Sequence, residues 1–383
     1  MTARGAGLLS IMIISCAVPA AVAQVPPTHD DVVFASAPVT GGIRPLLLDL
    51  YLPTGGLVFP LDAPSPVVVH IHGGGWMGGS HDSTPGPLLP LRELGVAVAS
   101  VGYRLSGEAI FPAQIHDVKA AIRFLRANAA TYGLDASRIA ATGPSAGGHL
   151  AALVATSGNA PDLEGTVGSD DEQSSAVCAA SAFFAPCDLL LMQPDVATPP
   201  GSSVDHDAPS SPESRLIGFH GKGQGIGVLR ANLDNPAPPF PAKAALARAA
   251  SPLTHLDAAD PPIFIAHGTA DTVVPLRQSE RLRDALVVAG IDHQFVAVAG
   301  AGHGGLGAAA ESAMRTFLVA RLQASGRTNC PCDLDGDGQV GGPDLGMLLG
   351  DWGGPTGDLT GDGTTDAADL GALLSAWGPC EAP

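Results

Sequence analysis

The sequence predicts an α/β fold: a mostly parallel sheet with helices on both faces, followed by a small C-terminal unit of duplicated loops and helices. Three observations predict it. Strand-like apolar runs alternate with helix-like patterns from residue 47 to residue 322, the pattern of a parallel sheet covered on both sides. The chain has 383 residues and 45% hydrophobic content, enough for one large core plus an appendage. Beyond residue 330 an acidic pattern recurs at an offset of 25 residues, which is the mark of a small repeat unit. The resulting division is a leader over 1–23, a main domain over 24–325 and a C-terminal module over 326–383.

The leader comes first. Arg4 precedes an apolar stretch from Leu8 to Val18, and Ala21-Val-Ala23 forms a small-x-small cleavage site before Gln24. The apolar run is too short to span a bilayer and has the layout of a cleaved secretory signal, so an exported or periplasmic/cell-surface protein is expected. No other run is long enough for a membrane span. The alternative of a lipoprotein acylated at Cys16 has only Ile13-Ile-Ser-Cys16 in its favour, a poor match.

Leu47-Leu-Asp-Leu-Tyr-Leu-Pro53 reads as an early strand, and Pro66-Val-Val-Val-His-Ile71 as a buried one. The latter ends in His72-Gly-Gly-Gly-Trp76. Consecutive glycines let the backbone approach a ligand and turn its amides inward. Gly74 and Gly75 are therefore the candidate N–H donors to an oxygen that gains negative charge. Val96–Ser100 is another strand. In the run 112–132, Ile115, Val118, Ile122 and Leu125 fall on one helical face.

Arg138-Ile-Ala-Ala-Thr142 is a strand leading into Gly143-Pro-Ser145-Ala-Gly147, and Gly148–Ala155 is a small-residue helix pattern. That is the context of a nucleophile elbow. A sharp strand-to-helix turn holds the Ser145 hydroxyl out, with the helix N-terminus behind it. The Ala146 N–H would complete the oxyanion hole with Gly74 and Gly75. Ala179–Ala185 reads as a strand. Pro262–Ala266 is followed by His267-Gly-Thr-Ala-Asp271, which places a carboxylate a few residues past a strand end. Asp292–Val298 is followed by Ala299-Gly-Ala-Gly-His303 on a glycine-rich loop. Ser145, Asp271 and His303 are the candidate nucleophile, orienting acid and general base. Of the rivals, His267 reads as structural, His293 and Asp260 precede their strands, and His149 packs or caps on the elbow helix.

With these motifs in this order, residues 30–322 resemble α/β-hydrolase esterases of the feruloyl/acetyl-esterase and hormone-sensitive-lipase-like HGGG type. Val101-Gly-Tyr-Arg-Leu105, Phe111–Arg123 and Gly133–Ile139 extend the likeness. The resemblance implies a secreted serine carboxylic-ester hydrolase with a Ser145–His303–Asp271 triad and an acyl-enzyme mechanism. Its substrates would be small acetyl- or feruloyl-type esters, extending to polysaccharide-linked ones, and the chemistry would need no metal. The alternatives are a peptidase or amidase on the same fold, or a non-catalytic binding protein. The Pro-, Ser- and Asp-rich stretches 193–217 and 231–241 lie where such hydrolases carry cap insertions, so they are expected to shape the acyl pocket.

The C-terminal repeat aligns Asp333, Asp337, Asp344, Leu345, Leu348 and Trp352 with Asp358, Asp362, Asp369, Leu370, Leu373 and Trp377. Each unit is a twelve-residue calcium loop with one exiting helix. Ligands come from Asp333, Asp335, Asp337, Gln339 and Asp344 in the first loop, and from Asp358, Thr360, Asp362, Thr364 and Asp369 in the second. Gln339 and Thr364 contribute backbone carbonyls, and the position-12 residue is Asp where an EF-hand has Glu. This duplicated pattern resembles a dockerin module, which implies structural Ca²⁺ and a cohesin-like or cell-surface partner. Positions 10 and 11, polar in dockerins, are here Gly342-Pro343 and Ala367-Ala368.

A formal charge of −18 and the lack of a basic cluster exclude nucleic acid as a partner. Nine Asp, one Glu and no Lys or Arg follow Arg327, so the module carries more than half of that charge. Five cysteines remain after cleavage of the leader, so at least one thiol stays free or pairs between chains. Cys380 is placed to bridge to Cys330 or Cys332. Cys178 and Cys187 flank an extended run that would hold them roughly 25–30 Å apart, too far to bond.

Overall fold

Eight strands form one sheet in the computed structural model, which describes residues 25–328, 332, 334, 339–354, 357–360 and 363–379. The strands are β1 (His29–Val39), β2 (Gly42–Tyr51), β3 (Ser65–Ile71), β4 (Ala97–Val101), β5 (Leu134–Pro144), β6 (Ala179–Phe183), β7 (Ile263–Gly268) and β8 (His293–Val298). Their order is β1-β2-β4-β3-β5-β6-β7-β8. The β1–β2 and β2–β4 pairs are antiparallel, and every pair from β4 through β8 is parallel. The mostly parallel α/β sheet expected from the sequence is therefore present, with an antiparallel hairpin at one edge.

The parallel strands read as continuous apolar runs because both faces are covered. Val67, Val68, Val69 and Ile71 of β3 and Ile263 through Ala266 of β7 are all fully buried. The main-domain helices are α1 (Ala113–Ala127), α2 (Ala129–Tyr132), α3 (Ala146–Thr156), α4 (Pro212–Leu216), α5 (Ile226–Arg230), α6 (Phe240–Ala249), α7 (Leu276–Ala289) and α8 (Ala308–Thr328). Two apolar clusters cover the sheet. One gathers α1, α3 and Val69; the other gathers α8, Val68 and Phe264.

Ile115, Val118, Ile122 and Leu125 are buried as the period requires. The helical run does not continue unbroken to residue 132, however. It stops at Asn128, whose side chain and backbone N–H both donate to the Phe124 carbonyl, each at 2.9 Å, and a separate turn follows. Local side-chain competition of this kind is what makes Asn a weak interior helix residue. The motifs flanking α1 join through a buried ion pair. Arg104 makes a two-pronged contact with Asp117, with Nη2–Oδ1 at 2.7 Å and Nε–Oδ2 at 2.9 Å. Asp117 also accepts from the Arg104 backbone N–H at 2.8 Å. Burial pushes the Asp117 carboxyl up, and the Arg104 contacts oppose that shift. Removing one partner of such a pair leaves an uncompensated buried charge, at a cost of about 3–5 kcal/mol.

In the C-terminal segment, α9 (Gly342–Gly350) and α10 (Ala367–Ser375) share a small core of Leu334, Val340, Leu348 and Leu373. A short antiparallel pair, β9 (Gln339–Val340) with β10 (Gly378–Pro379), links the two ends of the segment. The leader 1–23, the loop residues Asp333, Asp335, Asp337 and Asp362, and Cys330 and Cys380 lie outside the described residues. Cys178, Cys187 and Cys332 are free thiols. Among the described residues no helix is long and apolar enough to cross a membrane.

Candidate active site

Ser145 caps the N-terminus of α3 with φ 54° and ψ −121°. An L-residue adopts that conformation only under constraint, at a cost of about 1–3 kcal/mol. The constraint is visible in the neighbouring glycines. A Cβ at Gly147 would lie 1.9 Å from the Ile71 carbonyl oxygen, and one at Gly143 would lie 2.4 Å from the same atom. A Cβ at Gly148 would sit 2.8 Å from the Gly143 oxygen and 2.9 Å from that of Phe183. The turn therefore packs backbone against backbone, and a backbone hydrogen bond from Ser145 N–H to Phe183 O at 2.8 Å pins it to β6. Four non-glycine residues have clearly positive φ among the described residues, and three of them, Trp76, Ser145 and Phe184, line one cavity. Strain is concentrated where the serine stands.

The three residues expected to act together meet in that cavity. Ser145 Oγ lies 3.1 Å from His303 Nε2, and His303 Nδ1 lies 2.8 Å from Asp271 Oδ2. Asp271 Oδ1 accepts from the backbone N–H groups of Val273 at 2.8 Å and Val274 at 3.0 Å. The hydrogen-bond pattern assigns Nδ1–H as the donor to Asp271, which leaves Nε2 to accept from the serine hydroxyl. Burial pushes the Asp271 carboxyl up, but hydrogen bonds from His267 and His303, the charge of His303 and the Val273 amide outweigh it. The carboxyl is held well below the usual carboxylate range. Asp271 is thus an ionised acceptor at any working pH.

The glycine loop after β3 stands beside the serine. Gly74 has φ +112°, and a Cβ there would lie 2.3 Å from the Gly78 oxygen; Gly75 has φ +61°. Only glycine fits the first of these positions without moving the chain. The N–H groups of Gly74, Gly75 and Ala146 donate to no other backbone group among the described residues. His72, which opens the loop, stacks on Tyr103 with centroids 4.2 Å apart, while the Tyr103 hydroxyl donates to the His72 carbonyl at 3.1 Å.

His267, read from the sequence as structural, is fully buried. The Ser279 hydroxyl donates to its Nδ1 at 2.7 Å, and its Nε2–H donates to the Val274 carbonyl at 3.0 Å. The same Nε2 lies 3.2 Å from Asp271 Oδ2, so it steadies the acid. The i, i+4 spacing in His267-Gly-Thr-Ala-Asp271 was the available signal. Phe184, whose ring edge meets the His303 ring at 4.6 Å, left no local trace in the sequence.

His149 is buried on α3, where Nδ1 accepts from the Trp76 indole N–H at 3.2 Å and Nε2–H donates to the Ala250 carbonyl at 2.6 Å. Burial pushes its pKa down to about 4, against the Ala250 hydrogen bond. An unfolded His titrates near 6.5, so the unfolded chain binds more protons between these values. The stabilisation is complete above pH ~6.5 and disappears as pH falls through about 4, a difference on the order of 3 kcal/mol. Urea midpoints between pH 7 and pH 4 should fall less steeply in His149→Gln than in the unaltered protein. Parallel pH profiles would refute the assignment.

The cavity around Ser145 has a volume of about 460 Å³. Its walls include Gly74, Gly75, Ala146 and His303. From the Pro- and Ser-rich stretch 193–217 they include Val204, His206, Pro212 and Glu213. The second such stretch, 231–241, does not line it. A further cavity of about 260 Å³ lies beyond Pro144 and Phe184, which border both.

Similarity to known proteins agrees with this geometry. Residues 48–286 match the family model BD-FAE. Esterase LipQ of Mycobacterium tuberculosis is 34% identical over 235 residues, covering 59% of this chain and 47% of that protein. The chain spans about half the length of the first curated relatives it matches. Among solved structures, a truncated carbohydrate esterase from gut microbiota superposes with a TM-score of 0.62 at 31% identity, covering 77% of this chain and 95% of that one. A propionate-bound thermophilic esterase of Thermogutta terrifontis gives a TM-score of 0.54 at 27% identity, covering 77% and 94%. The strand order, the elbow and the family match lead to one assignment: the chain is an α/β-hydrolase of the BD-FAE family.

Proposed function

We propose that the protein is an exported serine carboxylic-ester hydrolase acting on small acyl esters of the acetyl or feruloyl type, including polysaccharide-linked ones. The observation that carries the reading is the continuous relay from Ser145 Oγ through His303 to Asp271, at 3.1 Å and 2.8 Å. Ser145 Oγ attacks the ester carbonyl while His303 Nε2 takes its proton. The developing oxyanion accepts hydrogen bonds from the N–H groups of Gly74, Gly75 and Ala146. Loss of one such donor costs about 2.7–4 kcal/mol of barrier. His303 then protonates the departing alcohol, and water releases the acyl group by the same steps in reverse. A cavity of about 460 Å³ suits an ester of modest size. The names of the carbohydrate esterase and the propionate-bound esterase support the substrate class. An amidase is the second reading, favoured by 46% identity over 91 residues to the arylacetamide deacetylase of Oryctolagus cuniculus.

The C-terminal segment is read as a dockerin-like module holding two structural Ca²⁺ ions and docking on a cohesin-like or cell-surface partner. The described part of the second loop fits a cation. Asp358 Oδ1 and Thr360 Oγ1 lie 3.5 Å apart, and Gly363 takes φ +96° at the turn. Asp369 is buried, with Oδ1 accepting from Leu359 N–H at 2.8 Å and Thr360 N–H at 2.9 Å. Asp344 is buried in the same way at the end of the first loop, accepting from Leu334 and Gly341 N–H. Asp369 Oδ2 accepts from the Asp366 N–H at 2.7 Å and keeps a lone pair for a cation. Bound Ca²⁺ would offset the carboxylate repulsion and supply folding energy to the module.

The test is hydrolysis of p-nitrophenyl acetate and butyrate, beside matched arylamides, with Ca²⁺ and with EGTA. Ester turnover should persist in EGTA while the C-terminal segment becomes sensitive to protease. Cleavage of arylamides alone would replace the esterase reading by the amidase one. Loss of ester turnover in EGTA would place calcium in the chemistry, and a protease-resistant segment in EGTA would count against the calcium module.

A further inference from the structure

We infer that His206 and Glu213 form a hydroxyl-recognition site in the wall of the Ser145 cavity, so that the preferred ester carries a hydroxylated group beside the reacting carbonyl. The inference rests on the hydrolase reading above and names the substrate chemistry of that same site.

The two side chains form a buried pair, each 2% exposed, with Nδ1 of His206 3.0 Å from Oε1 of Glu213. Both line the cavity that holds Ser145 and His303. Their remaining polar atoms, His206 Nε2 and Glu213 Oε2, are buried and have no hydrogen-bond partner among the described residues. A buried polar atom left unpaired is costly, and native proteins satisfy nearly all of them. Both residues border the Ser145 cavity, so an occupant that reaches the pair would satisfy atoms that the fold leaves unpaired.

The surroundings hold the pair rigidly. Ser211 caps α4 by accepting from the Ser214 N–H at 3.1 Å, and the Ser214 hydroxyl donates to the Ala208 carbonyl at 2.9 Å. The His206 N–H donates to Gln193 Oε1 at 2.9 Å. Pro212 also abuts the oxyanion loop, where a Cβ at Gly75 would sit 3.4 Å from its ring. The pair is therefore anchored next to where the ester carbonyl would lie.

Its chemistry selects the ligand. Nδ1 and Oε1 share the proton of the contact within the pair. Nε2 and Oε2 are left to bond outside it. A hydroxyl group both donates and accepts, so two neighbouring hydroxyl groups can satisfy both atoms. A hydroxyl has two sources, the sugar on the alcohol side of the ester or a hydroxy-acyl group. A site built to bond a hydroxyl discriminates strongly against the analogue that lacks it, because its own groups are left unpaired.

Two matched ester pairs separate the sources. Methyl 2-O-acetyl-β-D-xylopyranoside against cyclohexyl acetate varies the alcohol; p-nitrophenyl glycolate against p-nitrophenyl propionate varies the acyl group. The unaltered protein should prefer the hydroxylated member of one pair by tenfold or more in kcat/KM. The double variant His206→Phe/Glu213→Leu, which replaces the pair by apolar groups, should lose most of that ratio. Glu213→Gln should lower it less and serves if the double variant does not fold. A ratio unmoved by either variant, with turnover intact, overturns the inference and leaves the hydrolase reading standing. Saturation-transfer NMR of the same esters with Ser145→Ala protein reads binding without turnover. Binding selectivity that depends on the pair, in a protein that hydrolyses no ester, would keep this inference and sink the hydrolase reading. Absence of both would sink both.

Discussion

Ser145→Ala should lower kcat for p-nitrophenyl acetate by about 10⁵–10⁶-fold while leaving KM within a few-fold. Serine hydrolases that lose the nucleophile keep only the residual catalysis of the oxyanion hole and of binding, and the loss is about as large as that from removing the whole triad. Among the described residues, Ser145 Oγ is the only hydroxyl hydrogen-bonded to His303 Nε2, at 3.1 Å, so no neighbouring hydroxyl stands ready to substitute for it. The variant should fold, because an alanine Cβ occupies the space the serine Cβ already has. The strained φ of 54° remains, and the Phe183 bond to the residue-145 N–H is untouched. A thermal unfolding curve within a few degrees of the unaltered protein, together with no detectable burst of nitrophenol, is the expected pair of results. A loss of less than a hundredfold would remove Ser145 from the nucleophile's role.

The parts of this site that were legible in the sequence are those set by backbone constraints. Gly143, Gly147 and Gly148 are required because the elbow packs against the Ile71 and Phe183 carbonyls, and Gly74 because its Cβ would strike Gly78. Such requirements leave a short, fixed motif. The parallel strands were legible because both faces are buried, which makes each one an uninterrupted apolar run. The grouping of Asp271 and His303 with Ser145 was legible from chain order and from their positions after β7 and β8. What stayed hidden depends on contacts between distant segments. His206 and Glu213 are seven residues apart in an irregular Pro- and Ser-rich stretch with no period to read, and only the packing of α4 against the oxyanion loop brings them to the cavity. His149 carries no mark of its bond to Trp76, 73 residues earlier. Asn128 ends α1 inside a run whose apolar spacing continues, because one amide side chain outweighs a weak periodic signal there.

Asp271→Asn should lower kcat by about 10⁴-fold, and the reason is specific to the hydrogen bonds of this carboxylate. Oδ1 accepts from two backbone N–H groups, Val273 and Val274, and Oδ2 accepts from His303 Nδ1–H with His267 Nε2 at 3.2 Å. An amide has one oxygen. If it stays with the two backbone donors, the NH₂ group faces His303 and can only donate to it. Nδ1 must then become the acceptor, the proton moves to Nε2, and His303 can no longer take the proton of Ser145. If the amide turns over, its NH₂ group meets the backbone N–H groups of Val273 and Val274 instead, and the oxygen keeps both histidines at the cost of the turn. The first arrangement satisfies more donors and is the one expected to prevail. The stability consequence has an opposite pH signature from the kinetic one. The folded carboxyl titrates well below its unfolded value near 3.9, so its contribution is complete above that value and is lost as pH falls through the folded one. Urea midpoints should therefore favour the unaltered protein over Asp271→Asn at pH 7 and converge as the pH approaches 2, whereas the deficit in kcat is already full at pH 7. A kcat reduced less than tenfold at pH 7 would mean that His303 holds its tautomer without Asp271, and that Asp271 serves the turn after β7 alone.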